Sequence, residues 1–331
     1  MTRAVVVSSD FDRTLCDKNQ AAIDKNRIAE VFKKNFFKNP TAKNFLLVGS
    51  NSQSVDLDQD NMQKYKRPSC MASFRELAQH FNDSGDLPSV ELVTLLLNDI
   101  FANAPDGTTF EAALTGEKVA ASLDQLIDGS KILLAYVQMQ HMAQMLGSDT
   151  PIDFYFVDDI PRIRADLADV FTKLWDLLPA NITLHIVNMS VGYDGNPDFD
   201  PKLEHVISGG GVVNPEYKSV ARKLMQTATD DYEKFVADPS KNRQPFEFLR
   251  EDLLAMHADP AAQPKEKESE AAASVGGNMY STFPEAPGLQ AGVGSRDNDP
   301  LLGPDADAET DDEVDKEKEQ EQGCWCWVRC P

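Results

Sequence analysis

The chain of 331 residues has only five cysteines: Cys16 and Cys70 stand alone, while Cys324, Cys326 and Cys330 crowd the last eight positions. So sparse and lopsided a set does not make a disulfide framework, and it fits a reducing, cytoplasmic setting. Long apolar runs are missing too. Nowhere do about 18 consecutive apolar residues occur, the length a membrane-spanning helix needs. The N-terminus lacks the basic, apolar and small-residue succession of a secretory signal, which argues against conventional export. Positive charge is scarce: 32 Lys and Arg stand against 54 Asp and Glu, giving a formal net charge of -22 and a pI near 4.5. That balance disfavours nonspecific binding to nucleic acid or anionic lipid.

Several chemical signatures are also absent. His80, His141, His185, His205 and His257 are scattered, and no His-x3-His or Cys-x2-Cys metal spacing occurs. A cysteine phosphatase needs Cys-x5-Arg, whereas "CMASFRE" puts Glu76 where the arginine is required. The stretch "SGGGVVNPE" lacks the Lys-Ser/Thr of a nucleotide-binding loop and reads as a turn.

What is present is enough apolar residue, 41%, to bury a sizeable core in one or two globular units. The composition changes near residue 258. From there the chain is rich in Pro, Gly, Ala, Ser and acids and carries roughly half of the net charge. Too few large apolar residues remain to offset the entropy of ordering, so 258–331 reads as a disordered acidic tail. Residues 1–257 instead alternate strand-like and helix-like segments. "RAVVVSSD", "KNFLLVGSN", "PIDFYFVDDI" and "NITLHIVNM" read as strands. "IDKNRIAEVFKKNFF", with Ile23, Ile28, Val31, Phe32 and Phe36 near helical spacing, "SKILLAYVQMQHMAQML", with Ser130 as its candidate N-cap, and "RADLADVFTKLWDLL" read as helices. Strands separated by helices imply an open, mostly parallel α/β sheet, with a site at the carboxyl ends of the strands.

Polar residues fall at those ends. Asp10 and Asp12 follow the first strand, Ser50 the second, and Asp158 with Asp159 the "FYFV" strand, while Lys131 starts a helix. Two carboxylates behind a buried strand are costly to desolvate unless a cation or a reaction uses them. Carboxylates, a hydroxyl and an ammonium together suit a phosphoryl group and a hard cation.

The pieces "DFDRTL", "LLVGSN", "GSKILL" and "YFVDD", in that order, resemble the haloacid dehalogenase (HAD) superfamily, over about residues 3–190. The resemblance implies a three-layer, Rossmann-like core with a small cap or none, and a Mg2+-dependent phosphatase working through an aspartyl-phosphate. Asp10 would be the nucleophile and a metal ligand. Asp12 would serve as general acid and base, its main-chain carbonyl also binding the metal, and Thr14 would support the loop. An acid two residues after the nucleophile favours a phosphatase over members that dehalogenate or keep a stable phospho-aspartate. Ser50 would donate to a phosphoryl oxygen, with Ser52 as a rival for that role, and Lys131 would offset the gathered negative charge. Of Asp158 and Asp159, one would bind Mg2+ directly and the other through water or by holding Lys131.

Substrate choice falls to the insert of about 53–130. Its segments "CMASFRELAQHF" and "SVELVTLLLNDIFANA" look helical, and no clear sheet-forming pattern is visible in it. The insert is then either a small cap over the site or helices and a strand decorating the sheet; the missing sheet pattern favours an open or lightly capped site, which admits a phosphorylated protein side chain, whereas a bulky cap would select a small phosphomonoester. The fold without its chemistry, as a binding or scaffold protein, is the alternative, against which the intact Asp10, Asp12 and acidic pair count. In the terminal "EQGCWCWVRCP", Val328 stands where prenylation requires Cys. Cys324, Cys326 and Cys330 beside tryptophans suit palmitoylation and contact with a membrane interface, which the preceding acids oppose; an unmodified tail and a metal held by the three thiols are the alternatives. The block "ETDDEVDKEKEQEQ" resembles the Glu-rich translocation signals of type IV secretion effectors of the Legionella type, among which HAD-like phosphatases acting on phosphotyrosine occur. It implies delivery into a host cell.

Overall fold

The computed structural model describes residues 3–16, 22–117, 119, 130–190, 201–237 and 253. All of them fall in Met1–Glu266, the first of two units into which the chain divides, the second being Lys267–Pro331. The tail expected from residue 258, with its acidic block and terminal cysteines, lies outside the described residues.

Strand β1, Ala4–Ser9, is buried at all six positions, as expected of a strand covered on both faces. It pairs in parallel with β2, Lys43–Val48, on one side and with a later strand, Ile152–Asp158, on the other. Between them run α1 (Lys25–Asn35), α2 (Val55–Tyr65), α3 (Cys70–Asp83), β3 (Val90–Val93), α4 (Leu97–Phe101), α5 (Thr108–Thr115) and α6 (Ser130–Leu146). Then come β4 (the Ile152–Asp158 strand), α7 (Pro161–Lys173), β5 (Ile182–Asn188), β6 (Lys202–Ser208) and α8 (Tyr217–Ala237). The sheet order is β3-β2-β1-β4-β5-β6, parallel except for β6. Because the chain leaves β1 toward β2 and returns to β4 on the opposite side, β1 and β4 flank the topological switch point, where sheets of this kind open a crevice at their carboxyl edge.

Alternate side chains of β1 feed two cores. Ala4 and Val6 pack with residues of α6, α7 and α8. Val5 and Val7 pack with Ile28 and Phe32 of α1 and with Phe74, Leu77 and Phe81 of α3. Asp24 caps α1 by accepting from the Arg27 amide at 3.1 Å, and Ile28, Ala29 and Phe32 form its buried stripe. Helix α6 is buried at every position from Ser130 to Gln140, so its mixed polar groups need partners. Gln138 meets that demand, accepting from Ser8 Oγ at 2.6 Å and donating to Val48 O at 2.9 Å.

Two elements differ from the sequence reading. "SVELVTLLLNDIFANA" is not one helix: Val90–Val93 is a strand and only Leu97–Phe101 is helical. The edge of β2 supplies its backbone partners, with Leu46 opposite Leu92. Asn82 fixes its start through bonds to Val90 N and Val90 O at 3.0 and 2.9 Å. Pairing at the sheet edge overrides a helical-looking apolar spacing. The insert thus adds a strand to the sheet, one of the two arrangements its sequence allows, although no clear sheet-forming pattern marks it. The expected single helix over "RADLADVFTKLWDLL" ends at Lys173 and gives way to a 3-10 turn at Trp175–Leu177.

Candidate active site

Residue pairing brings the ends of the three central strands level, since Ser9 stands opposite Val48 on one side and Val157 on the other. Asp10, Gly49 and Asp158 therefore emerge at one edge. Asp10 N donates to Val157 O and Gly49 N to Ser9 O, each at 2.8 Å. Gly49 is required by this close approach. A Cβ there would lie 2.7 Å from Ser8 Oγ and 2.8 and 2.9 Å from the Ser9 carbonyl carbon and oxygen.

Lys131, in the first turn of α6, reaches all three ends. Its ammonium donates to Asp10 Oδ1 at 2.7 Å, to Gly49 O at 2.7 Å and to Asp158 Oδ2 at 3.1 Å. Three partners use the three N–H groups of a side chain that is 1% exposed. Burial alone would lower its pKa, but Asp10 and then Asp158 outweigh that and raise it above the ordinary lysine value. Lys131 is thus a buried permanent cation between two carboxylates.

After Asp10 the chain makes a tight turn. Phe11 O accepts from Leu15 N and Cys16 N, both at 3.0 Å, and Arg13 takes a left-handed φ of 65°. Phe11 and Leu15 are buried and anchor the turn. Thr14 Oγ1 lies 3.4 Å from Asp10 Oδ2. Asp12 sits on this turn with 34% of its side chain exposed. Its pKa is pushed up to about 6 by burial first, against the pull of Arg67, with the Asp10 charge adding to the rise.

The acidic pair divides its work. Asp158 is fully buried, accepts from Ile160 N at 2.8 Å through Oδ1 and holds Lys131 through Oδ2. Burial raises its pKa to about 6, with Lys131 opposing and Asp10 assisting. Asp159 has a buried Oδ1 with no hydrogen-bond partner among the described residues. Burial, then the Asp10 and Asp158 charges, push it up to about 7.

The serines behind β2 are separated by their bonds. Ser52 Oγ accepts from Arg67 Nη2 at 3.1 Å and from Asn61 Nδ2 at 3.3 Å. Ser50 is 1% exposed, and its oxygen accepts from Ser52 N at 3.4 Å; among the described residues its hydroxyl donates to none. Gln53 fixes this turn, donating to Val48 O and Ser50 O at 3.2 and 2.7 Å and accepting from Leu97 N at 3.0 Å.

The sequence reading missed Arg67. It lies between α2 and α3, is 4% exposed, and places Nε 2.5 Å from Asp12 Oδ1 and Nη2 3.3 Å from Oδ2. A lone arginine in an insert carries no motif that could have marked it. Cys70, by contrast, is fully buried with its thiol pushed far up, first by burial and then by the Asp58 charge, which makes it a poor nucleophile.

Among the described residues no three His, Cys, Asp or Glu side chains converge as a ready metal cage. The donor set is nevertheless of the type that suits Mg2+: hard carboxylate oxygens, an orphan at Asp159 Oδ1, and three carboxyl groups whose pKa values are raised by burial first, with the charge of Asp10 adding to the rise in each. Set against family models, curated proteins and solved structures, the chain matches none. No helix among the described residues is long and apolar enough to cross a membrane.

Proposed function

We propose that the chain is a Mg2+-dependent phosphatase of the HAD type that hydrolyses phosphomonoesters through an aspartyl-phosphate on Asp10. The observation that carries this reading is the tie made by Lys131 between Asp10 and Asp158 at the switch point of a parallel sheet. Nucleophile, ammonium and acidic pair thus meet in space after lying far apart in the chain. Asp10 and Asp159 would hold the cation, with the Asp12 carbonyl that the resemblance implies and with water, which Mg2+ characteristically keeps. When bound, Mg2+ supplies the charge neutralisation that lets one anion approach another.

The chain's own groups do the rest. An Asp10 carboxylate oxygen bonds to phosphorus as the bond to the leaving oxygen breaks, and the Asp12 carboxyl gives that oxygen its proton. Asp12, now a carboxylate, takes a proton from the water that attacks the aspartyl-phosphate, releasing inorganic phosphate and restoring Asp10. Its raised pKa of about 6 leaves part of the population protonated near neutrality, as a general acid requires. Ser50 offers its hydroxyl to a phosphoryl oxygen, and Lys131 keeps Asp10 and Asp158 from repelling each other and the phosphate.

Within the described part of the insert, β3 joins the sheet and α3 packs into its flanking core, while Arg67 reaches Asp12. That supports a core with a small cap or none and an open site, suited to a phosphorylated protein side chain such as phosphotyrosine. Hydrolysis of para-nitrophenyl phosphate and of a phosphotyrosine peptide, with Mg2+ and with EDTA, tests the reading. The expected result is Mg2+-dependent turnover that Asp10→Asn lowers by about ten-thousandfold or more while the protein stays folded. Failure of folded, Mg2+-loaded wild type on these and a wider panel of phosphoesters would sink it in favour of a binding protein.

A further inference from the structure

We infer that Arg67, delivered by the insert, is a positioning residue that sets the orientation of Asp12 for proton transfer to the leaving group; this rests on the phosphatase reading. Arg67 presents its Nε and Nη2 edge to the two oxygens of Asp12, at 2.5 and 3.3 Å. The Nε contact is close in charge but not aligned as a hydrogen bond. A two-point approach of this kind fixes the plane of a carboxylate, which a single ammonium would not do.

Arg67 is itself held from every side. Nη1 donates to Pro68 O at 2.8 Å and lies 3.4 Å from Asp58 Oδ1, while Nη2 donates to Ser52 Oγ at 3.1 Å. The Phe11 ring lies beneath the guanidinium, 4.8 Å from Cζ. Asp58, 2% exposed, is in turn locked by Cys70 N at 2.9 Å and Ser69 Oγ at 2.6 Å, both at the start of α3. The chain of contacts runs from α3 through Asp58 and Arg67 to Asp12.

A purely structural role, neutralising Asp58, explains less. Asp58 already has its two short bonds from Ser69 and Cys70, and Arg67 meets it only at 3.4 Å. The short edge of the guanidinium goes to Asp12, which keeps a third of its side chain open where Asp58 keeps 3%. Fixing that group from behind leaves its open side for the leaving oxygen, and orientation of this kind is worth orders of magnitude in rate.

The test is leaving-group dependence with Mg2+ present, using para-nitrophenyl, phenyl and ethyl phosphate. A good leaving group needs little proton transfer and a poor one needs much. Arg67→Met is expected to change para-nitrophenyl phosphate kcat/KM by only about threefold and to lower ethyl phosphate kcat/KM by about 100-fold, the range lost with a general acid. Asp12→Asn gives the same steepening, and Arg67→Met adds little to it in the double variant. Arg67→Lys, which keeps charge and loses the two-point edge, and Asp58→Asn, which loosens Arg67, fall between wild type and Arg67→Met. Uniform loss across the three esters in the folded variants, or full multiplication in the double variant, overturns the inference and leaves the phosphatase reading intact. Wild type inactive on all three esters and on the phosphotyrosine peptide overturns both.

Discussion

The Nζ of Lys131 lies 2.7 Å from Oδ1 of Asp10, although the two residues are 121 positions apart. The contact is buried, and it neutralises a carboxylate that would otherwise face Asp158 unshielded. Removing the lysine leaves two buried charges without a partner.

Lys131→Met is therefore expected to destabilise the protein by about 3–5 kcal/mol at neutral pH, the range for breaking a buried ion pair. Urea unfolding followed by circular dichroism measures it. A loss under about 1 kcal/mol would mean that water already reaches the pair.

Gly49→Ala tests the close approach of β1 and β2. Its Cβ would press on the Ser9 carbonyl, which belongs to backbone and cannot swing aside. A cost of about 1–3 kcal/mol is expected, as for other overpacked sites. The same shift moves the Gly49 carbonyl that Lys131 uses, so the proposed phosphatase turnover should fall with stability. A variant as stable as wild type would show that the strand ends can separate freely.

Ser50→Ala and Ser52→Ala should part company. Loss of one donor to a developing phosphoryl charge costs about 100-fold in kcat, and that is the expectation for Ser50→Ala with the melting temperature held. Ser52→Ala removes an acceptor from Arg67 and Asn61, so its larger effect should be on stability. Equal effects of the two on kcat would assign the phosphate contact to neither.

Asp159 makes a pH-dependent contribution whose sign is fixed by its raised value of about 7. The folded protein holds this proton to higher pH than the unfolded chain, where carboxyls titrate near about 4. The associated stability is present below about pH 4 and lost as pH rises toward about 7. In EDTA, Asp159→Asn should therefore gain melting temperature relative to wild type between pH 4 and pH 8. Adding Mg2+ at pH 8 should stabilise wild type more than the variant. A difference that ignores both pH and Mg2+ would show that Asp159 is solvated.

The parts legible in the sequence were those with a local signature. The β-branched run before Asp10, the apolar "FYFV" before Asp158 and the helical spacing of Ile28 and Phe32 each announce an element within a few residues. Strand β3 was hidden because four residues with mixed burial gain their identity from the edge of β2. Strand β6 was hidden because six of its seven positions are exposed, so no apolar alternation marks it. Among the site residues, Lys131 and the acidic pair sit at element boundaries that pattern can find. Arg67 does not: its partners Asp12, Ser52 and Asp58 lie 55, 15 and 9 positions away, and no local rule links them.

The central place of β1 also governs how the molecule is made. One of its edges can pair with β2 soon after synthesis, but the other waits for β4; Arg3 and Asp153, which pair at the start of the two strands, are 150 positions apart. At a ribosomal rate of roughly 5–20 residues per second, that edge stays open for about 7–30 s. Throughout that interval an apolar strand offers unpaired backbone groups to any neighbour, and for most of it, until residue 131 is made, Asp10 has no lysine. The nascent chain is thus most prone to aggregate before residue 158 emerges, and a truncation ending ahead of β4 should bind chaperones where the longer chain does not.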